Sequence, residues 1–331
     1  MREPIRLTNS EIFMWQRCPR MWLLTYYLGY TPDADDVTGN RILGIRVHCA
    51  LQGYYGYELD PLTVLHVLYQ LALEAFPDYE AELLAERDLA SAMVEGYLEW
   101  ITTEGKDATL TCVATEAEVI VPLPGVPGVE LMGKLDQVVL DDATGLLSFL
   151  DHKTAASFER HELLAISPQF RYYSLLQKLA VAGHQGAPRV MGGFVNTLRR
   201  VKRTSKAVPP FYQRDPFRYN EEMINSTLLK VTGIAKKIVA ARGALDWIYT
   251  EGGGDLTLLN AYQATHLPHL AIETDCSWRC PFLALCPMLD DGSDWVGALT
   301  RSGHYRQQDP HAYYADDPLR QVREVLAGQQ G

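Results

Sequence analysis

Gly133-Lys134-Leu135-Asp136, followed fifteen residues after its carboxylate by Asp151-His152-Lys153, is the stretch whose reading decides the fold. Val129 to Leu140 is rich in β-formers, Asp141 to Gly145 is turn material, and Leu146 to Leu150 is an apolar run of strand length. Two strands and a tight loop predict a β-hairpin. Folding it about Ala143 and Thr144 puts Asp136 opposite Asp151, where paired Cβ atoms stand about 4.5–5.5 Å apart. Two facing carboxylates repel unless a cation sits between them, and hard oxygen donors suit Mg²⁺ or Mn²⁺ rather than zinc. Strand side chains return to one face every second residue, so Lys153 points with Asp151 while His152 points away. Carboxylates, a divalent ion and an ammonium are what phosphodiester hydrolysis requires. The ion activates water and neutralises charge on the phosphorus oxygens, and the lysine adds to that stabilisation or orients the water.

A competing motif lies on the same stretch. Gly128 to Lys134 matches the first seven positions of a P-loop, but Leu135 stands where Ser or Thr is needed. A P-loop lysine must also open a helix whose amides meet phosphates, whereas Leu135 to Leu140 reads as strand. Nucleotide binding is excluded there.

The chain has 331 residues and 47% hydrophobic content, enough for a sizeable core in one large domain or two smaller ones. No segment is apolar and long enough to span a bilayer, and the first residues lack a signal peptide's apolar stretch, which together predict a cytoplasmic protein. A net charge of −11 is awkward for a protein that binds nucleic acid, because phosphate contacts come from Lys and Arg. Arg199, Arg200, Lys202, Arg203 and Lys206, however, form a run with no acid inside it. It is either a solvated face or a path for a nucleic-acid backbone.

Of six cysteines, Cys276, Cys280 and Cys286 lie close together and Cys18 stands far upstream in Cys18-Pro19-Arg20. Such clustering in a reducing compartment points to a metal site, and four thiolates suit zinc or an iron-sulfur centre equally. Either would close a loop of more than 250 residues, a structural role. Cys49 and Cys112 read as core residues.

Thr8 to Glu11 carries a capping-box signature for a helix that delivers Cys18. A second helix, over about 41–54, carries Gly44 and His48, and residues 62–102 read as helical with a break at Pro77. Strand signals resume at Val119 to Val121; Glu116 and Glu118 sit nearby, with a solvated face as the plainer reading. Ser167-Pro168 predicts a helix start that sets Gln169 and Tyr173 one turn apart. A further helix spans about 220–249 with Lys230, Lys236 and Lys237, and the tail beyond Trp295 is polar and without a motif.

Gly-x-x-Asp followed by a strand ending Asp-x-Lys resembles the PD-(D/E)xK nuclease superfamily, and the scattered motifs resemble its RecB-like iron-sulfur exonuclease branch. That resemblance implies an α/β fold with a mixed central sheet flanked by helices, and an iron-sulfur subregion built from both termini. It implies one nuclease domain over 1–331: N-terminal helices (1–56), a helical insertion (57–110), the nuclease core (111–215), and C-terminal helices with the cysteine cluster (216–331). By the same resemblance Asp136, Asp151, His48 and the main-chain carbonyl of His152 hold Mg²⁺ or Mn²⁺. Lys153 is the catalytic lysine, Gln169 and Tyr173 border it, and Cys18, Cys276, Cys280 and Cys286 hold a [4Fe–4S] cluster in preference to zinc. The family's first cysteine gap is commonly two residues, and here it is three. The implied activity is exonucleolytic cleavage of single-stranded DNA or DNA ends in recombination, repair or CRISPR adaptation, as in stand-alone CRISPR-associated and phage recombination exonucleases. A helicase, recombinase or CRISPR adaptation protein is the implied partner, since the chain has no motor motif. The alternatives are a DNA-end-binding adaptor with an idle site, a structure-specific endonuclease and an RNase.

Overall fold

The computed structural model describes residues 3–33, 36–270, 272–315 and 317–328. In chain order the elements begin with β1 (Ile5–Thr8), α1 (Asn9–Arg17), α2 (Pro19–Trp22) and β2 (Tyr30–Pro32). Helices α3 (Asn40–Tyr57), α4 (Pro61–Ala75) and α5 (Glu80–Thr103) precede strands β3 (Leu110–Pro122), β4 (Val129–Asp141) and β5 (Leu146–Ala155). Next come α6 (His161–Ala165), α7 (Pro168–Val181), β6 (Arg189–Arg199), β7 (Tyr212–Arg218) and α8 (Glu221–Thr250). The chain closes with α9 (Leu256–His266), α10 (Glu273–Arg279), α11 (Trp295–Arg301), β8 (Tyr305–Gln307), α12 (Ala312–Ala315) and α13 (Pro318–Gly328).

These elements divide into two compact units, each assembled from separated segments. The first comprises Met1–Asp35, Ile120–Met132 and Ser226–Ala315; the second comprises Asp36–Val119, Gly133–Asn225 and Asp316–Gly331.

Within the first unit, β1 runs parallel to the start of β4, from Ile5 against Val129 to Thr8 against Met132. Thr8 then caps α1, its hydroxyl accepting the Glu11 N–H at 3.1 Å. The capping box is only half made. Glu11 is fully buried, and its carboxylate accepts from Trp22 Nε1 at 2.9 Å and Arg242 at 2.8 Å. A buried carboxylate gains more from a guanidinium than from one backbone amide.

The hairpin lies mainly in the second unit and has the register the turn dictates. β4 and β5 are antiparallel, with Gln137 opposite Leu150 and Asp141 opposite Leu146. Asp141 shapes the turn, its carboxylate accepting from Ala143 N at 3.0 Å and Thr144 Oγ1 at 2.8 Å. β5 continues to Ala155, well past the apolar run, because its polar half pairs in parallel with β6 from Asp151 against Val195 to Ala155 against Arg199. β6 in turn pairs antiparallel with β7, and β3 pairs with β4, so the sheet is mixed. α3 packs on β5, and α7 packs on β5 and β6.

The helical segments of this unit form their own core. Leu43, Val47 and Leu51 of α3 meet Val64 and Leu65 of α4 and Met93, Val94 and Tyr97 of α5. Leu319 and Val322 of α13 join them, so the tail that looked uninformative supplies core from residues one turn apart. The helix start at Ser167 is real, with Pro168 in the first turn, but the Ser167 side chain makes no capping hydrogen bond.

α3 is anchored by a buried ion pair. Arg46 Nη1 lies 2.5 Å from Glu86 Oε1, which also accepts from Tyr69 Oη at 3.0 Å, while Glu86 Oε2 accepts the Gly39 N–H at 2.6 Å. Removing one partner of such a pair leaves an uncompensated buried charge. Glu86→Ala should therefore cost about 3 kcal/mol or more in chemical denaturation; a change within about 0.5 kcal/mol would show that the pair does not anchor α3.

Candidate metal centre

Two glycines set the approach of the helices that carry site residues. An added Cβ at Gly44 would stand 3.3 Å from Thr154 Oγ1, closer than ordinary van der Waals contact, so glycine lets α3 come down on β5. One turn on, His48 Nδ1 lies 3.2 Å from Asp136 Oδ2. At Gly133 an added Cβ would collide with the Leu176 side chain, so this position admits α7 against β4. That helix carries Gln169 and Tyr173.

Asp136 Oδ2 also accepts the His152 backbone N–H at 2.8 Å. Asp151 is 1% exposed, and its Oδ2 lies 2.9 Å from Lys153 Nζ as an ion pair, without an aligned hydrogen bond. Lys153 Nζ donates to Gln169 Oε1 at 3.3 Å, and Gln169 Nε2 donates to Tyr173 Oη at 2.9 Å. The Gln-x-x-x-Tyr spacing thus becomes a relay ending on the lysine. The His152 ring is buried, stacked on Tyr55 with centroids 5.8 Å apart and edge-on to Tyr97 at 5.8 Å.

Glu116, which the sequence reading left unassigned, joins this group. Its carboxylate, the His48 imidazole and the Asp136 carboxylate each offer a donor atom within 4.8 Å of the others, a spacing that could hold a metal ion. Glu116 has φ 45°, a left-handed conformation that costs a non-glycine residue about 1–3 kcal/mol. The irregularity breaks the alternation of β3, so no strand period could point Glu116 at the site.

Residues 6–287 match the family model of the PD-(D/E)XK nuclease superfamily. The chain belongs to this superfamily. No curated protein matches it. A solved structure, that of SSO0001, is similar at 12% identity over 71% of this chain and 78% of that one, with a TM-score of 0.28, a likeness too slight to bear on function.

Electrostatics in this PD-(D/E)XK protein follow from crowding acids in a buried place. Burial, reinforced by Asp136, lifts Asp151 to about 6 against the pull of Lys153. Burial likewise raises Glu116, Asp136 adding to the effect and Lys134 opposing it. Asp136 goes the other way: burial opposes its charge, but His48 outweighs that and holds the carboxyl well below the usual range. Burial disfavours charge on His48 too, yet Asp136 overrides it and raises the imidazole to about 9. Burial lowers His152 to about 3, so its ring is neutral. Burial alone would lower Lys153, but Asp151 and Asp136 raise it, so the amine remains an ammonium.

The basic run is largely engaged within the protein. Arg203 pairs with Glu99 at 2.6 Å, Lys202 lies 3.8 Å from Asp88, and Arg199 donates to the carbonyls of Val208 and Pro210. The acids come from α5, a hundred residues away, which a scan for acids inside the run could not reveal. For Arg200 and Lys206 no ion pair is described among the described residues.

In the first unit, Cys18, Cys276, Cys280 and Cys286 line one small cavity together with Arg17, Arg20 and His269. Cys276 Sγ lies 3.0 Å from His269 Nε2, and Arg20, clamped by Asp290, donates to Cys286 Sγ at 3.5 Å. Among the described residues, no three of these sulfurs lie as close together as the donors of His48, Glu116 and Asp136. His269 carries no signal in the sequence, since a donor to sulfur has no spacing signature.

The His48–Asp136 pair stabilises the metal-free fold fully below the imidazole's ordinary value of 6.5, and that contribution is lost as pH rises through about 9. In Asp136→Asn burial and the Lys153 charge oppose the imidazolium and only Asp151 favours it, so His48 should titrate below 6.5 by NMR where the parent titrates near 9. An unchanged titration would contradict the pairing.

Proposed function

We propose that this chain is a RecB-like, divalent-ion-dependent DNA exonuclease acting on single-stranded DNA or DNA ends in recombination, repair or CRISPR adaptation. The observation that carries the reading is the gathering of Asp136, Asp151 and Lys153 on one hairpin beside His48, in a PD-(D/E)XK family member.

His48, Asp136, Asp151 and the main-chain carbonyl of His152 would hold Mg²⁺ or Mn²⁺, with Glu116 as an added ligand. The donor set fits: oxygens dominate, the one imidazole favours Mn²⁺ somewhat, and a buried Asp151 oxygen lacks an aligned hydrogen bond. A divalent ion there supplies positive charge to the phosphate and lowers the pKa of water. Lys153, kept as an ammonium by Asp151, stabilises charge developing on the phosphorus oxygens and does not serve as a base. Gln169 Oε1 accepts a hydrogen bond from one of its three N–H groups and Tyr173 fixes the amide, which aims the remaining donors.

The phosphate path runs along Arg199, Arg200, Lys202, Arg203 and Lys206, where Arg200 and Lys206 are the residues best placed to act, the others being engaged as described. Cys18, Cys276, Cys280 and Cys286 hold a [4Fe–4S] cluster, with zinc as the weaker candidate. Their shared cavity supports this. A helicase, recombinase or CRISPR adaptation protein would supply unwinding.

Anaerobically purified protein should degrade 5′- and 3′-labelled linear DNA with Mg²⁺ or Mn²⁺ and spare circular single strands. Lys153→Ala should lower the rate about 10²-fold or more. Equal degradation with and without Asp151→Ala would sink the site assignment. Cleaved circles would mean an endonuclease, RNA-only cleavage an RNase, and end binding without cleavage an adaptor. The preparation should be brown and carry iron; a colourless one with stoichiometric zinc would overturn the cluster.

A further inference from the structure

Lys134 is a second lysine at the site, and the mechanism above leaves it idle. It lies two residues before Asp136 on β4, so the two side chains share a face. Its Nζ stands 3.0 Å from Glu116 Oε2, with both side chains about a fifth exposed, at 22% and 21%. Glu116 in turn offers a donor atom within 4.8 Å of Asp136 and His48. The same carboxylate is therefore both a partner of an ammonium and a member of the group that could hold an ion.

An ammonium and a divalent ion on one carboxylate compete. Each neutralises the oxygen, and each repels the other, at several ångströms, by an amount that grows as water is excluded. Lysine suits a place that must be vacated, because it is a point charge on a flexible stem with no fixed fork to unmake.

We propose that Lys134 is a placeholder cation: its ammonium neutralises Glu116 while the site holds no ion, and divalent binding displaces it toward a phosphate oxygen of the substrate. The proposal deepens the reading of this site as a divalent nuclease centre and rests on it. Coupling of this kind is reciprocal, so substrate that draws Lys134 away tightens metal binding, and metal tightens substrate binding.

The test is Mn²⁺ binding to the full chain by calorimetry, without DNA, for the parent, Lys134→Met, Lys134→Arg, Glu116→Gln and the Lys134→Met/Glu116→Gln double variant. Thermal unfolding would confirm that each variant folds. Lys134→Met should bind Mn²⁺ about three- to tenfold more tightly, the scale set by losing one partly exposed ion pair and its repulsion. Lys134→Arg should stay near the parent, and in the Glu116→Gln background, where only the repulsion is left to remove, Lys134→Met should tighten binding less than it does in the parent. With Mn²⁺ saturating, binding of cleavage-resistant phosphorothioate DNA by Lys134→Met should weaken and its salt slope fall by about 1. Parent protein that binds Mn²⁺ while Lys134→Met binds it equally or more weakly overturns the exchange alone. A parent that binds no Mn²⁺ overturns the metal reading and the exchange together.

Discussion

Asp136 Oδ2 is the atom at which the hairpin's backbone and the charge of the site meet. It accepts the His152 N–H at 2.8 Å and faces His48 Nδ1 at 3.2 Å. The first contact continues the pairing of β4 with β5 beyond the ladder that ends at Gln137 and Leu150. A slip of one residue would turn Asp151 and Lys153 to the opposite face, so register and chemistry are fixed together. The second contact ties α3 to the same atom. Gly44 and Gly133 suit that geometry, because an added Cβ would press on Thr154 Oγ1 at the first and on the Leu176 side chain at the second.

Much of this was legible in the chain. The turn at Asp141 to Gly145 fixes where the hairpin folds and sets Gln137 opposite Leu150, one position inside Asp136 and Asp151; the helices around His48 and after Ser167 follow from ordinary periodicity and start signals. What escaped was whatever depends on residues distant in sequence. Glu116 sits on an irregular stretch of β3 that no alternation could aim. Arg203 and Lys202 find their acids on α5, and Glu11 leaves its capping role for Arg242. The extension of β5 through Asp151 to Ala155 depends on β6, and the value of Leu319 and Val322 depends on α3 and α4.

The charge balance gives the site its character. Three acids gathered in a poorly solvated place are not tolerable alone, and in the metal-free protein protonated His48, Lys153 and Lys134 stand against Asp136, Asp151 and Glu116. Each acid has a cation partner contributed by a different segment: His48 from α3, Lys153 from the next position of its own face on β5, Lys134 across the β3–β4 pair. Only Asp151 of the six is fully buried; the others keep part of their side chains in water, which eases the crowding of like charges.

Anomalous diffraction from Mn²⁺-soaked crystals tests that account most directly. A manganese peak bonded to His48, Asp136 and Asp151 is the result it predicts. A peak bound elsewhere in a crystal of protein that cleaves DNA with Mn²⁺, with this group left without an ion, would contradict it.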